Sequence, residues 1–191
     1  MSTEGSGHGD PRHADRQARW QARYTELSGS ALPPVHDLLQ AWVRAPQQGT
    51  ALDLACGRGQ DALYLARCGY VTEAWDTAEA AIAALRPLAA GVALHAEVRD
   101  VLRAPPKEQS YDCIHVANFM ARPIFSRLVA ALRSGGLLVY ATWCGSYRGR
   151  GPRDPDFRAG PGELATAFAA LTCLYYQEDE ERVAGVWRRP Q

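Results

Sequence analysis

The chain has 191 residues, of which 47% are hydrophobic, so it is long enough for one domain with a substantial apolar core. Its 21 lysine and arginine residues balance 21 aspartate and glutamate residues, and this zero net charge argues against nucleic-acid binding through a broad basic surface. No apolar run reaches the ~18 residues of a membrane span, and residues 1–17 lack the apolar core of a secretory signal. We therefore expect a soluble, cytoplasmic protein that does not contact a membrane.

The spacing of the cysteines and histidines excludes two further classes of protein. The five cysteines include no C-x-x-C pair, which argues against both a disulfide framework and a zinc site. The five histidines show neither H-x₃-H nor H-E-x-x-H spacing. We expect no metal, and we interpret most of the cysteines, including Cys56, as small packing residues.

The predicted elements begin with two helices. Residues 1–10 are rich in glycine, serine and charge, and are predicted to form a disordered tail. An apolar stripe with i, i+4, i+7 spacing predicts a helix over residues 11–27. Pro33 and Pro34 suit the first turn of a second helix, which we expect to reach Val43.

From residue 50 the pattern changes to short apolar strands that alternate with helices, which predicts parallel pairing with right-handed crossovers. The acidic turn at 178–181 is too short for a crossover, so the two strands that flank it must be antiparallel. Strands are predicted at 50–54, 70–75, 92–98, 111–117, 137–143, 171–177 and 182–188, and helices at 60–68, 77–87 (with Thr77 as N-cap), 119–133 and 163–170.

These elements predict an α/β fold, a Rossmann-like three-layer sandwich. Its seven-stranded sheet is mostly parallel, with one antiparallel strand in a C-terminal hairpin. Residues 11–191 are predicted to form a single domain, in which the helices within residues 11–46 could cover a pocket as a lid. We find no internal repeat and no domain boundary in the sequence.

Four segments are expected to converge at the carboxyl ends of the strands, where open α/β sheets bind ligands. A glycine loop, which allows the backbone to pass close to a ligand, follows the first strand from Asp53 to Ala62. Asp76 ends the second strand, at a spacing from the loop that lets an acid hold both ribose hydroxyls. Asp100 and its neighbour follow the third strand, and Asn118 follows the fourth. Together they predict a pocket for a nucleoside.

Two cofactors compete for this pocket. The pattern Gly57-x-Gly59-x-x-Ala62 formally fits the dinucleotide fingerprint. Asp53, however, would repel a pyrophosphate and attract the α-ammonium of a methionine moiety. We therefore favour S-adenosyl-L-methionine, with a dinucleotide-binding oxidoreductase or cofactor sensor as the alternative.

The stretches ALDLACGRGQDALYLARCGY, VTEAWD, AEVRD, YDCIHVANF and LRSGGLLVYATW resemble a class I S-adenosylmethionine-dependent methyltransferase. More narrowly, the sequence is similar to the tellurite-resistance and thiopurine methyltransferase-like group, over roughly residues 17–188, and GPRDPDFRAGPGEL resembles the same group. The run Asn118-Phe119-Met120 departs from the Asn/Asp-Pro-Pro-Tyr motif of methyltransferases that act on bases or glutamine. Nucleic acid is therefore a still less favoured partner.

The resemblance implies a role for each segment of the pocket. In the family the glycine loop lines the methionine end of the cofactor, the acid after the second strand binds the ribose, and the residues after the third strand flank the adenine. The residues after the fourth strand lie near the methionine moiety. Combined with the reading of the loop itself, this gives as candidate cofactor-binding residues Asp53, Ala55, Cys56, Gly57, Gly59, Asp76, Thr77, Asp100, Val101, Ala117 and Asn118.

Methyl transfer is an in-line displacement at an activated sulfonium, so the protein mainly supplies position and a dry pocket. A soft anionic nucleophile needs no general base, whereas a hydroxyl or ammonium nucleophile does. No convincing base is evident, which favours a small-molecule acceptor such as a thiol or a selenium or tellurium oxyanion. Catalytic residues and oligomeric state stay open, and the candidates for the acceptor pocket are Trp20, Tyr24, Asn118, Trp143 and Arg153.

Several candidates also have a purely structural interpretation. Trp20 and Tyr24 could pack the first helix on the sheet, and we favour this over a lid. Asp76 could be only the acidic residue at a helix N-terminus, although cofactor binding is favoured. Asn118 is evenly balanced between turn chemistry and the active site, and Trp143 could line the acceptor pocket or fill the core.

Two groups of basic residues remain. Arg148, Arg150 and Arg153 lie on a loop that could be solvated or could recognise an anionic acceptor, with solvation slightly favoured. His95 and His115 fall in strand patterns and are expected to be hydrogen-bonded structural residues. A third hypothesis for the whole chain is a non-catalytic methyltransferase fold that binds a partner protein.

Overall fold

The structure is a computed structural model that describes residues 11–45 and 47–191, with side chains from residue 15 onward. The predicted tail at 1–10 lies outside the described residues. Two helices precede the sheet, α1 at Pro11–Glu26 and α2 at Asp37–Trp42. Among the described residues, every helix is too short or too polar to span a lipid bilayer.

Strands and helices alternate through the rest of the chain. Short 3-10 turns lie at Arg86–Ala89, Arg122–Ile124 and Pro155–Phe157. The remaining elements are β1 at Thr50–Leu54, α3 at Gln60–Arg67, β2 at Val71–Asp76, α4 at Glu79–Leu85, β3 at Leu94–Val98, β4 at Tyr111–Ala117, α5 at Phe125–Ala131, β5 at Leu132–Trp143, α6 at Glu163–Ala167, β6 at Thr172–Glu178 and β7 at Arg182–Arg188.

The seven strands form one sheet in the order β3-β2-β1-β4-β5-β7-β6. The pairs β1–β2, β1–β4, β2–β3 and β4–β5 are all parallel. Strand β7 runs antiparallel to both β5 and β6. The predicted α/β fold with one reversed strand in a C-terminal hairpin is therefore confirmed. The strand order reverses between β1 and β4, which is where an open α/β sheet forms its binding crevice.

Both faces of the central strands are buried, as parallel sheets require. Because side chains alternate along a strand, Leu52 and Leu54 of β1 pack on the side of α5, whereas Ala51 packs on the side of α2 and α3. This alternation gives the three layers. It also directs Asp53, two residues from Ala51, toward α2 and α3.

The boundaries of two predicted helices are wrong. Helix α2 begins at Asp37, and the Nδ1 atom of its N-cap His36 accepts a hydrogen bond from the backbone N–H of Leu38. Pro33 and Pro34 therefore precede the helix rather than form its first turn. The helix after β4 was predicted at 119–133 but is confined to α5, which follows a 3-10 turn.

Backbone conformation explains why α5 is short. Asn118 has a φ of 55°, in the left-handed region, so the chain cannot enter a right-handed helix directly from β4. At the other end Leu132 is already extended, with a ψ of 141°. Strand β5 begins there because Leu132 pairs with Tyr111 of β4, and the Arg189 guanidinium donates to the Leu132 carbonyl at 2.6 Å. Tertiary pairing thus overrides the helical pattern of the sequence.

Candidate active site

A cavity of about 1190 Å³ lies at the carboxyl ends of β1, β2, β3 and β4, and residues of α1 line its other side. All four predicted segments contribute to it. Of the candidate cofactor-binding residues, Gly59 alone is not part of the lining, which includes Asp53, Ala55, Cys56, Gly57, Asp76, Thr77, Asp100, Val101, Ala117 and Asn118. The sequence therefore predicted the location of the cavity, while the role of each residue in it stays a prediction.

The two glycines of the loop serve different purposes. Gly57 has a φ of 53°, and a Cβ atom there would lie 2.8 Å from the Tyr24 hydroxyl oxygen. Gly59 has a φ of 82°, and a Cβ atom there would lie 2.4 Å from a methyl carbon of Leu85. Gly57 thus allows α1 to approach the loop, whereas Gly59 allows α3 to pack against α4.

The Asp76 carboxylate fixes the backbone of the glycine loop through hydrogen bonds. Its Oδ2 accepts a hydrogen bond from the Gly57 N–H at 2.9 Å, and its Oδ1 accepts one from the Ala78 N–H at 2.9 Å. Thr77 is not the N-cap of α4 as predicted, because Ala78 occupies that position. Burial raises the pKa of Asp76, and the backbone donors oppose this rise. A carboxylate has about four acceptor positions, so Asp76 can still accept bonds from ribose hydroxyls.

Asp53 lies beside His115 at the end of β1. The two residues are opposite each other in the β1–β4 register, and His115 Nδ1 is 2.9 Å from Asp53 Oδ1. Burial raises the pKa of Asp53 to about 6, although the hydrogen bond from His115 and the facing Ala62 N–H oppose this rise. His115 is therefore a hydrogen-bonded core residue as expected, whereas His95 is exposed on the edge strand β3.

The wall after β3 contains a feature that the sequence did not reveal. The Arg99 guanidinium lies 3.8 Å from the centroid of the Trp75 ring, and both residues line the cavity. Asp100 Oδ1 accepts the Leu102 N–H at 2.9 Å, while Val101 is buried. This wall combines a flat stacked pair with apolar surface, which suits a planar base.

Helix α1 both packs on the molecule and lines the cavity, so the two interpretations of its aromatic residues are compatible. The rings of Trp20 and Tyr24 stack with centroids 5.6 Å apart. Burial raises the pKa of Tyr24 above its usual value, so its hydroxyl stays protonated beside the glycine loop. Gln17 donates to the Thr77 carbonyl at 3.1 Å, and the Ala80 N–H donates to Gln21 at 3.0 Å.

A second, smaller cavity of about 270 Å³ adjoins the end of β4. Its lining consists of Asn118, Trp143, Arg150, Glu181 and Arg182. Arg182 Nη1 donates to Asn118 Oδ1 at 2.8 Å, and its guanidinium lies 4.5 Å from the centroid of the Trp143 ring. Sequence reasoning missed Arg182 because it begins the last strand, which returns to this edge only through antiparallel pairing.

The three arginines of the predicted loop, Arg148, Arg150 and Arg153, differ in whether they line a cavity. Arg148 forms an exposed ion pair with Glu180 at 2.6 Å and lines neither cavity. Arg150 lines the smaller cavity and Arg153 the larger one. Arg158, which the sequence analysis did not single out, is buried and donates to the carbonyl oxygens of residues 144, 145, 150 and 152. These hydrogen bonds from a buried side chain fix the backbone conformation of the loop.

Comparisons with known proteins agree with this geometry. Residues 51–136 match the family model of a methyltransferase domain. A geranyl diphosphate C-methyltransferase from Streptomyces coelicolor superposes with a TM-score of 0.73 at 16% identity, over 95% of this chain and 98% of its own. TehB from Haemophilus influenzae superposes with a TM-score of 0.71 at 19% identity, over 89% and 67% of the two chains. No curated protein matches the chain in sequence.

At these identities the likeness to solved structures establishes a shared fold. The methyltransferase-domain match over residues 51–136 and the shared fold both agree with the prediction of an S-adenosylmethionine-dependent methyltransferase that uses S-adenosyl-L-methionine as its cofactor. The dinucleotide alternative loses its support, since the glycine loop lies inside the matched range.

Proposed function

We propose that this protein transfers the methyl group of S-adenosylmethionine to a small anionic acceptor with a soft nucleophile, such as a thiolate or a selenium or tellurium oxyanion. The acceptor would bind at the group formed by Asn118, Trp143 and Arg182. The observation that carries the proposal is the Arg182 guanidinium, which is held between the Asn118 amide and the Trp143 ring at the end of β4.

Three features of the larger cavity fit the cofactor. Asp53 Oδ2 is buried and makes no hydrogen bond with the described residues, so it can receive a donor such as the α-ammonium of methionine. Asp76 offers acceptor positions for ribose hydroxyls, and the Trp75–Arg99 wall suits the adenine. When bound there, the cofactor supplies a methyl group on an activated sulfonium.

The charge of the smaller cavity favours an anionic acceptor. Two guanidinium groups, from Arg150 and Arg182, line it against the single carboxylate of Glu181. Burial lowers the pKa of Arg182, and a bound anion would restore the stability of its charge. An acceptor that is already ionised can attack without a general base, whereas a hydroxyl acceptor would require one, and Glu181 is the residue placed to serve.

We further propose that α1 acts as a lid over the cofactor. Hydrogen bonds of the Gln17 and Gln21 side chains attach this helix to the start of α4, and Tyr24 packs directly against Gly57. A bound cofactor would be enclosed between this helix and the glycine loop. Exclusion of water at the sulfonium would protect the displacement step.

The test is a panel of acceptors assayed by release of S-adenosylhomocysteine. It would include mercaptoacetate, a neutral thiol of similar size, selenite, tellurite and a hydroxy acid. We expect turnover of the soft anions, and we expect Arg182→Gln to lower their kcat/KM by about 10- to 100-fold, the value of a charged hydrogen bond. Arg148→Gln is the matched control, because Arg148 lines neither cavity.

Two results would contradict the proposal. The first is equal kcat/KM for neutral and anionic acceptors with no effect of Arg182→Gln. The second is turnover of the hydroxy acid alone together with its loss in Glu181→Gln, which would identify a general base. Cofactor binding without turnover of any acceptor would instead support the non-catalytic partner-binding hypothesis.

A further inference from the structure

A buried acid–imidazole pair lies behind the methionine end of the cavity. His115 is fully buried, and Asp53 is only 2% exposed although it lines the cavity. Each partner has one buried polar atom without a hydrogen bond from the described residues, namely Asp53 Oδ2 and His115 Nε2. The shared hydrogen bond between Oδ1 and Nδ1 therefore engages one of the two polar atoms of each side chain.

The polar groups around the pair already have other interaction partners. Asp61 accepts from the His36 N–H at 2.8 Å and from the Gln60 amide at 3.0 Å. The His36 ring lies 5.9 Å from the His115 ring, and burial lowers the pKa of His36. The titratable and charged groups that act on the pair from its neighbouring elements are Asp61, His36, Cys56, Cys113 and, through His36, Arg182.

We propose that His115 is a positioning residue for the cofactor and that the Asp53–His115 pair releases one proton when the α-ammonium binds. The Nδ1–H of His115 would hold Asp53 Oδ1, which leaves Oδ2 to accept the ammonium. The released proton leaves His115 Nε2 for solvent, while Nδ1–H stays on Asp53. This inference rests on the proposed placement of the methionine end at Asp53.

The direction of the proton change follows from the charges. Burial alone would lower the pKa of His115, but its hydrogen bond with Asp53 and the Asp53 charge outweigh burial and raise it. In the free protein the Asp53 carboxylate, 2.9 Å from Nδ1, therefore favours the imidazolium form of His115. A docked ammonium neutralises the carboxylate and repels the imidazolium, so it lowers the pKa of His115.

The direct test is ¹⁵N NMR of the imidazole nitrogens with and without S-adenosylhomocysteine, which carries the same ammonium. A pH of about 6.5 is suitable because an α-amino group has a pKa of roughly 7.7–8.0 and is already protonated there. We expect His115 to change from imidazolium to the neutral Nδ1–H tautomer. Methylthioadenosine, which lacks the amino-acid part, should leave it unchanged. Loss of the signal in His115→Asn assigns it, and His95→Asn is the exposed-histidine control.

The second test measures the ligand affinities of His115 variants by calorimetry. His115→Ala should weaken binding of S-adenosylhomocysteine by about 10- to 100-fold but change binding of methylthioadenosine less than about twofold. His115→Asn, whose amide can donate to Asp53 in place of Nδ1, should restore most of the affinity. Rescue by Asn would not be expected if His115 merely filled space.

The inference is overturned if His115 has the same protonation state with and without S-adenosylhomocysteine, or if the bound state is the Nε2–H tautomer. Equal loss of affinity for both ligands in His115→Ala would also overturn it. If the variants do not fold, the NMR comparison on the natural protein still decides. Failure of S-adenosylhomocysteine to bind at all would overturn the proposed cofactor site as well, whereas binding without a change at His115 refutes this inference alone.

Discussion

Asp76 combines two roles at the residue scale that the sequence presented as alternatives. Its carboxylate accepts backbone N–H groups from Gly57 in the glycine loop and from Ala78 at the start of α4. It therefore ties the loop to the helix, as the structural interpretation requires. It also faces the cavity, as the ribose-binding prediction requires.

Replacement of Asp76 by Ala should therefore affect both stability and binding. The free energy of unfolding should fall by about 1–3 kcal/mol, because two buried N–H groups lose their acceptor. The affinity for S-adenosylhomocysteine should fall by at least ~1 kcal/mol. Chemical denaturation and calorimetry measure the two effects. Asp76→Asn, which keeps one acceptor oxygen, should lie between the variant and the natural protein. Unchanged affinity in a folded Asp76→Ala variant would refute the ribose assignment.

The sequence was informative for residues whose function depends on local chain geometry. The glycine loop and Asp76 were predictable because a strand, a tight turn and a helix follow one another along the chain. The Asp53–His115 hydrogen bond was not, because it depends on the β1–β4 register and joins residues 62 positions apart. Arg182 was missed for the same physical reason, since antiparallel pairing alone brings it to Asn118.

At the element scale, α1 is attached to the domain through its C-terminal connection. Arg58 of the glycine loop is buried and donates to the carbonyl oxygens of Leu27, Ser30 and Ala31. This anchors the segment that follows α1, while the helix itself touches the loop through Tyr24. A helix that is anchored at its C-terminal end and is otherwise held over the cavity by side-chain contacts, such as those of Gln17 and Gln21, is suited to act as a lid.

Hydrogen exchange tests the lid directly. We expect S-adenosylhomocysteine to slow amide exchange in α1 and in the glycine loop, because an enclosed ligand stabilises the closed position of the helix. Helix α6 lies outside the cavity lining and is the internal control. Protection of the glycine loop without protection of α1 would contradict the lid. Tyr24→Phe should reduce the protection if the hydroxyl contact matters.

Helix α5 illustrates where prediction of elements failed. Its apolar periodicity was correctly identified, but the predicted helix was twice as long as the observed one. Asn118 adopts a left-handed backbone conformation, and Leu132 is extended where it pairs with Tyr111 of β4. Periodicity therefore indicated which face is buried, whereas long-range hydrogen bonds decided where the helix begins and ends.

At the scale of the whole molecule, strand order places the two cavities side by side. The parallel strands β3, β2, β1 and β4 lead into the predicted cofactor residues, and the reversed strand β7 supplies Arg182 to the acceptor side. Residues from both halves meet at Asn118. Alternation of strands and helices predicted the class of fold, but it did not predict this order.

The central claim is that the large cavity binds S-adenosylmethionine through its methionine end at Asp53. Calorimetric titration of the purified protein with S-adenosylmethionine, S-adenosylhomocysteine and NADH tests it most directly. The account predicts micromolar binding of the first two ligands and none of NADH, because a buried carboxylate at the glycine loop attracts an ammonium and repels a pyrophosphate. Binding of NADH without binding of either sulfur compound would contradict it.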